Sequence, residues 1–121
     1  MAGTAVLSTI KHDVSGAATT FRDGAGNEIG RFCRASVNYT GSTLAVNGSF
    51  NISSLTRSSA GNYGVNYSIS FPSSGNSPVP GSTGWWVNIA SITSSSVGIQ
   101  TFQTGSFATY DAANITIATF T

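Results

Sequence analysis

The sequence predicts an all-β fold, an antiparallel β-sandwich of jelly-roll-like form. The main observation is a period of two, in which five large apolar side chains alternate with small or polar ones from residue 63 to residue 71. Strong helix formers are scarce, with one lysine, one glutamate and three leucines. No window places apolar residues at helical spacing, and 121 residues are enough for a single domain.

The chain divides at residue 30 by its composition. Residues 1–30 hold most of the charge and lack sustained alternation, which predicts a linker with one short strand at most, at residues 5–10. The glycines at residues 23–27 predict a loop. Residues 31–121 are predicted to form the sandwich.

The strands follow from the pattern in chain order. Residues 35–39 and 44–52 alternate on either side of a polar turn and predict a hairpin. Further strands are predicted at residues 63–71, 85–92, 97–103 and 114–120, with a short one at residues 107–110. Residues 72–84 contain all three prolines and predict a long loop, a kind of segment that often carries function.

The charge is small and unevenly placed. Five basic and four acidic residues give a net charge of +1, and only Arg57 and Asp111 lie beyond residue 34. Nucleic-acid binders carry clustered cations, so no nucleic-acid partner is expected. No run of apolar residues is long enough for membrane insertion. A small core and a sparsely charged surface together predict burial against other copies of the chain.

Catalytic and metal-binding residues are few. Cys33 is the only cysteine, so no intrachain disulfide and no cysteine metal site is expected, and its apolar strand predicts a buried thiol. No cofactor is expected. Only four carboxylates are present, too few for a convincing acid and base pair, so the chain is predicted not to be an enzyme. His12 is expected to be solvated or stacked between chains, with ion binding on a trimer axis as the alternative.

Three sequence blocks resemble a viral module. They are CRASVNY at residues 33–39, FNISSLT at residues 50–56 and GNYGVNY at residues 61–67. In this order they resemble the distal, receptor-binding domain of bacteriophage tail fibres of the cyanophage and podophage kind. The resemblance departs at Ser36, where such proteins often have a tryptophan whose volume we expect Trp85 or Trp86 to supply.

The resemblance implies a parallel homotrimer in the virion, made in the host cytoplasm, with residues 1–30 as the linker from the fibre shaft. Its partners would be other tail proteins and a host receptor, either a cell-surface glycan or an outer-membrane receptor. Two alternatives stay open. One is a structural virion component, such as a head fibre, a capsid decoration or a fibre knob, and the other is a free carbohydrate-binding module.

The paired indoles are the best candidates for receptor contact. Adjacent strand residues point to opposite faces, so one of Trp85 and Trp86 should be buried and the other displayed. An exposed indole beside polar side chains suits stacking on a sugar ring, and Asn76 and Asn88 are the expected polar neighbours. Packing of the second indole in a subunit interface is the alternative.

Arginines at the start of the sandwich predict ion pairs within or between chains. Arg31 and Arg34 are expected to pair with Asp23, Glu28 or Asp111, in the same or a neighbouring chain, because the planar guanidinium group suits bidentate carboxylate contacts. Binding of an acidic sugar by these arginines is the alternative. Arg57 is expected in a turn, exposed and unpaired.

Overall fold

A computed structural model of the chain describes Thr9, residues 20–71 and residues 76–120. The described chain is all-β and antiparallel, as predicted, and contains no helix that could cross a membrane. Its strands are β1 (Thr20–Arg22), β2 (Glu28–Arg31), β3 (Cys33–Tyr39), β4 (Val46–Phe50), β5 (Ile52–Ser59), β6 (Asn62–Tyr67), β7 (Ser77–Ser82), β8 (Trp86–Ile92), β9 (Ser96–Phe102) and β10 (Ile115–Phe120).

Two four-stranded sheets enclose the core. Sheet I has the order β4-β3-β10-β7, and sheet II has the order β5-β6-β9-β8. Alternate residues of the inner strands point between the sheets and form one buried cluster, which is the arrangement of a β-sandwich. Its larger members on the strands are Val37, Tyr39, Ile115 and Ile117 from sheet I, and Tyr63, Val65, Tyr67, Val97 and Ile99 from sheet II, and Phe71 joins them from beyond the end of β6.

The strand order matches the jelly-roll description only in part. A jelly roll contains two Greek keys, whereas β3 to β6 form two successive hairpins, β3 with β4 and β5 with β6. The last strand, β10, returns to lie between β3 and β7 and closes sheet I. The predicted antiparallel β-sandwich is therefore confirmed, while its strand order agrees with a jelly roll only in part.

The predicted second strand is divided between the two sheets. Residues 44–52 were expected to form one half-buried strand, but β4 ends at Phe50 and is exposed along its whole length. Asn51 has a positive φ of 55° and turns the chain into sheet II, where Ile52 begins β5. The predicted strand at residues 63–71 likewise ends early, at Tyr67.

Residues 77–82 form a strand where the proline content predicted a loop. This strand, β7, pairs with β10 at the edge of sheet I, and Pro78 and Pro80 lie opposite Thr119 and Ile117. Proline is tolerated on an edge strand when its missing N–H faces away from the neighbouring strand. Pro78 is buried, so these prolines also contribute apolar surface to the sandwich and protect its edge from further pairing.

The front of the described chain is a separate hairpin. Strands β1 and β2 pair only with each other, around the predicted loop at residues 23–27. The Asp23 carboxylate accepts hydrogen bonds from the backbone N–H groups of Ala25 and Asn27, and Gly26 has a positive φ of 88°. These contacts lower the pKa of Asp23, chiefly through the side chain of Asn27. The short strand predicted at residues 5–10 and His12 lie outside the described residues, apart from exposed Thr9.

Ser36 and Cys33 lie in less buried positions than the sequence indicates. The Cys33 thiol is half-buried and donates a hydrogen bond to the Ala35 carbonyl at 3.3 Å. Ser36 faces outward opposite Phe50 of β4. Trp85 and Trp86 lie beyond the other end of β3, so neither indole fills the space beside Ser36, contrary to expectation.

Tyr39 is a buried polar residue whose hydroxyl has no partner within the described chain. Its ring packs edge-on against Tyr63, with centroids 5.6 Å apart, and burial raises the pKa of its hydroxyl. Because an unpaired buried hydroxyl is costly, we expect Tyr39→Phe to leave the free energy of unfolding unchanged or to raise it by about 1 kcal/mol. Urea unfolding measures the change. Tyr63→Phe is the matched variant, and it should destabilise because Tyr63 donates a hydrogen bond to Asp111.

Candidate functional site

The two ends of the sandwich differ in what they carry. Residues 20–33 enter at the end where Cys33 lies opposite Phe120. At the opposite end Tyr39 and Ser82 both lie opposite Ile115, and Trp86 lies opposite Phe102. We call this opposite end, formed by residues 40–45, 59–62, 83–86 and 103–114, the distal end.

Aromatic side chains cluster at the distal end. Trp85 packs partly against the core and lies 5.1 Å, centroid to centroid, from Tyr110. Trp86 is 55% exposed and meets Phe107 edge-on at 5.4 Å. Phe107 is itself 68% exposed. These residues, Trp85, Trp86, Phe107 and Tyr110, form the distal aromatic cluster. Trp86 is displayed as predicted, whereas Trp85 packs against the core but is only partly buried.

Phe107 adopts an unusual backbone conformation. Its φ is 52°, in the left-handed region that costs a residue with a Cβ about 1 kcal/mol or more. The surrounding loop compensates for this cost through regular hydrogen bonds, including one from the Gln103 N–H to the Ala108 carbonyl at 2.9 Å. The predicted strand at residues 107–110 is reduced to a single bridge between Phe102 and Thr109.

Residues 103–114 are anchored to both sheets. The Tyr110 N–H donates to the Thr101 carbonyl, and the Thr101 hydroxyl donates to the Tyr110 carbonyl. The N–H of Gly41, in the turn that joins β3 and β4 of sheet I, donates to the carbonyl of buried Ala112. The loop that presents Phe107 is therefore held at its far half by backbone contacts with sheet I and sheet II.

Asp111 is the centre of a polar network beneath the aromatic cluster. Its carboxylate accepts hydrogen bonds from Arg57 Nε at 2.9 Å and Nη2 at 2.5 Å, from the Tyr63 hydroxyl at 2.6 Å, and from the Gly61 N–H at 2.9 Å. The Arg57 guanidinium holds the pKa of Asp111 well below its ordinary value, against the effect of burial. Burial, followed by the contact with Asp111, raises the pKa of Tyr63 to about 12.

The contacts of Asp111 differ from the predicted ion pairs. Asp111 pairs within its own chain with Arg57, which lies in β5 and not in a turn, and so it does not serve Arg31 or Arg34. Arg34 stacks over the Phe71 ring at 5.4 Å, and its Nη1 atom is buried with no hydrogen-bond partner in the described chain. The side chain of Arg31 lies outside the described structure, and Glu28 remains a predicted partner on the front hairpin.

The two asparagines predicted for the site have different locations. Asn76 is buried near the entry end, where its Nδ2 donates to the Thr93 carbonyl at 2.9 Å, so it lies away from Trp86. Asn88 is exposed on β8, two residues beyond Trp86 and on the same outer face of sheet II. The structure thus brings Asn88 and Trp86 together and excludes Asn76 from their surface.

The sequence pattern did not predict several residues of the distal end. Phe107 and Tyr110 lie in an irregular segment where no periodicity could place them beside the indoles. Gln100 and Asn62 face outward beside Asn88, and their alternation within β9 and β6 was visible in the sequence. The pairing of Arg57 with Asp111 had one available signal, because these are the only two charged residues beyond residue 34.

Comparison with protein-family models, curated proteins and solved structures found no match to this chain. The resemblance to phage tail fibres therefore stays a prediction from the three sequence blocks.

Proposed function

We propose that this chain is a non-enzymatic attachment domain at the tip of a bacteriophage tail fibre, where it recognises a polysaccharide on the bacterial surface. The observation that carries the proposal is the exposed aromatic cluster at the distal end, with Trp86 at its edge. An exposed indole offers a large apolar face to the C–H face of a sugar ring. Its position opposite the entering chain suits a domain that a shaft holds out toward a cell.

Exposed apolar side chains on and beside the front hairpin support the proposal that the chain assembles into a parallel homotrimer. Phe21, Ile29 and Phe32 are exposed there, and Phe21 meets Phe32 edge-on at 4.8 Å. A two-stranded hairpin is marginally stable by itself, and neighbouring copies would cover this apolar surface. Three copies would also present three receptor sites together, so that weak single contacts add to firm attachment.

We propose no catalytic role because hydrogen bonds within the chain occupy the Asp111 carboxylate. It is the only carboxylate within the sandwich, and three groups of its own chain donate hydrogen bonds to it. A carboxylate with a lowered pKa is a poor general acid near neutral pH. The described residues also hold no group of three or more side chains suited to a metal ion.

Neither alternative has a specific observation in its favour. A structural virion component would be favoured by two buried indoles, whereas Trp86 is half-exposed. A free carbohydrate-binding module would be favoured by a front segment that forms part of the sandwich, whereas β1 and β2 form their own sheet.

Trp86→Ala is expected to reduce attachment to intact bacteria at least tenfold, because it removes the exposed stacking face. The measurement is binding of the fluorescently labelled protein to a panel of bacterial strains, scored by flow cytometry. Phe50→Ala is the matched control, since Phe50 is equally exposed, at 55%, but lies on β4 near the entry end. The mass by light scattering should be three chains for both variants. Equal attachment by Trp86→Ala and the parent protein would contradict the proposal.

A further inference from the structure

A row of neutral hydrogen-bonding side chains crosses the outer face of sheet II next to Trp86. The row consists of Ser59, Asn62, Gln100 and Asn88, which lie opposite one another on the four adjacent strands. Gln100 Nε2 donates to Asn62 Oδ1 at 2.8 Å, and Asn62 Nδ2 donates to Ser59 Oγ at 2.9 Å. The row spans three strand spacings, about 14 Å. These bonds fix the orientation of the Asn62 and Gln100 amides before any ligand arrives.

The row keeps unused hydrogen-bonding capacity at the end nearest the indole. The exposed Asn88 amide has no hydrogen bond to the described chain, and Gln100 uses only its Nε2 group there. Trp86 precedes Asn88 by two residues on the same face, a separation of about 6.6 Å along the strand. An amide both donates and accepts hydrogen bonds, as a sugar hydroxyl does.

Strands β6, β9 and β8 of sheet II carry no charged residue, and Arg57 on β5 lies opposite Tyr63, whose side chain points into the core. The outward residues on β6, β9 and β8 are asparagine, glycine, serine, glutamine and aromatic residues. The only charged residues beyond residue 34 are Arg57 and Asp111, and they neutralise each other in a bidentate pair. An anionic ligand would therefore find no unpaired cation among the described residues of this face, and its desolvation would not be compensated.

Two glycines lie beside the amide row on the outer face of sheet II. Gly64 and Gly98 lie opposite each other on β6 and β9, where they present backbone without side chains. The hydroxyl groups of Thr56 and Ser91 lean over these glycines, at 2.6 and 2.5 Å from the positions a Cβ would take. The surface beside the row is therefore made of backbone and small hydroxyl groups and is polar and uncharged.

We propose that the outer face of sheet II binds an uncharged polysaccharide, which lies across the strands along the row from Asn62 to Asn88 with one sugar ring stacked on Trp86. This inference rests on the proposed attachment function and specifies its ligand as neutral. It also replaces the arginine site for an acidic sugar considered from the sequence, since Arg34 is engaged with Phe71 at the other end of the sandwich.

The test uses an array of purified bacterial capsular and O-antigen polysaccharides, with neutral and acidic members, probed with the full chain. We expect binding to neutral members only. Asn88→Asp and Asn88→Lys should each weaken binding to the best neutral member about tenfold or more by calorimetry, because either charge would lose hydration against an uncharged ligand. The same two substitutions at Asn114, an exposed asparagine at the distal end of sheet I, should leave the affinity unchanged.

The outcomes separate this inference from the function it rests on. Binding to acidic members, or tighter binding by Asn88→Lys, overturns the neutral ligand. A blank array together with attachment of the labelled protein to bacteria overturns the polysaccharide and leaves attachment standing. A blank array without attachment to any strain overturns both. Unchanged affinity in both Asn88 variants would mean that the ligand does not bind this face, which also overturns the inference.

Discussion

Gly61→Ala is expected to lower the free energy of unfolding by about 3 kcal/mol or more, a large part of the stability of a domain this size. Gly61 has a φ of 71°, and a Cβ there would lie 2.5 Å from the Tyr110 N and 2.6 Å from the Thr101 carbonyl oxygen. These neighbours are backbone atoms, which cannot swing aside as a flexible side chain can. The methyl group must therefore displace the segment around Tyr110 or the tip of the β5 and β6 hairpin. Thermal unfolding should show a melting temperature lower by roughly 10 °C or more.

Gly84→Ala separates the backbone cost from the steric one. Gly84 has a similar φ of 75°, but no atom lies within 4 Å of its Cβ position. This variant should lose only about 1 kcal/mol, the cost of a left-handed alanine. If Gly61→Ala destabilises no more than Gly84→Ala, the close packing of residue 61 against Tyr110 is wrong. Because Tyr110 contacts Trp85, Gly61→Ala should also weaken attachment to bacteria, which Gly84→Ala should not.

The fold class was readable because inward-facing residues on inner strands alternate without interruption. Val37 and Tyr39 on β3, and Tyr63 and Val65 on β6, are buried as their period of two predicts. The edge strands were less readable, since an edge strand buries little and its pattern is weak. Strand β4 carries apolar residues that are exposed, and β7 carries prolines that suggested a loop. Its prolines fit a strand only because sheet I has an edge there.

The candidate site was only partly predictable for a different reason. The opposed orientations of Trp85 and Trp86 follow from local strand geometry and needed no tertiary information. The contacts of Phe107, and the pairing of Arg57 with Asp111 across 54 positions of sequence, depend on how residues 103–114 cross the distal end. The prediction for Asn76 was wrong because a polar side chain was expected to be exposed. The Asn76 side chain is instead buried and donates a hydrogen bond to the Thr93 carbonyl.

Asp111→Asn is expected to lower the free energy of unfolding at neutral pH by about 2 kcal/mol, since hydrogen bonds to a charged group are stronger than neutral ones. The asparagine has nearly the same shape, but its NH₂ group would replace one acceptor and face a donor. The carboxylate now accepts from Arg57, Tyr63 and Gly61. Urea unfolding measures the loss. Asp23→Asn is the control, because Asp23 is bonded within the exposed loop of the front hairpin and should leave the sandwich unchanged.

The pH dependence of unfolding gives the sharper form of this prediction. The folded-state pKa of Asp111 lies below its ordinary value of 3.8, chiefly because of the Arg57 guanidinium. Unfolded chains therefore bind a proton at Asp111 at a pH where folded chains do not, so acid favours unfolding. The stabilisation is complete above about pH 5 and declines as the pH falls through 3.8 toward the lower folded-state value.

Asp111→Asn removes this titration, so the stability difference between the parent and the variant should be largest at neutral pH and shrink in acid. Unfolding curves at intervals between about pH 7 and pH 2 test it. A difference that stays constant over this range would mean that the charge on Asp111 contributes nothing and that its role is one of shape. A difference that shrinks would assign the acid sensitivity of the distal end to the ion pair of Arg57 and Asp111, which lies beneath the residues proposed to meet the bacterial surface.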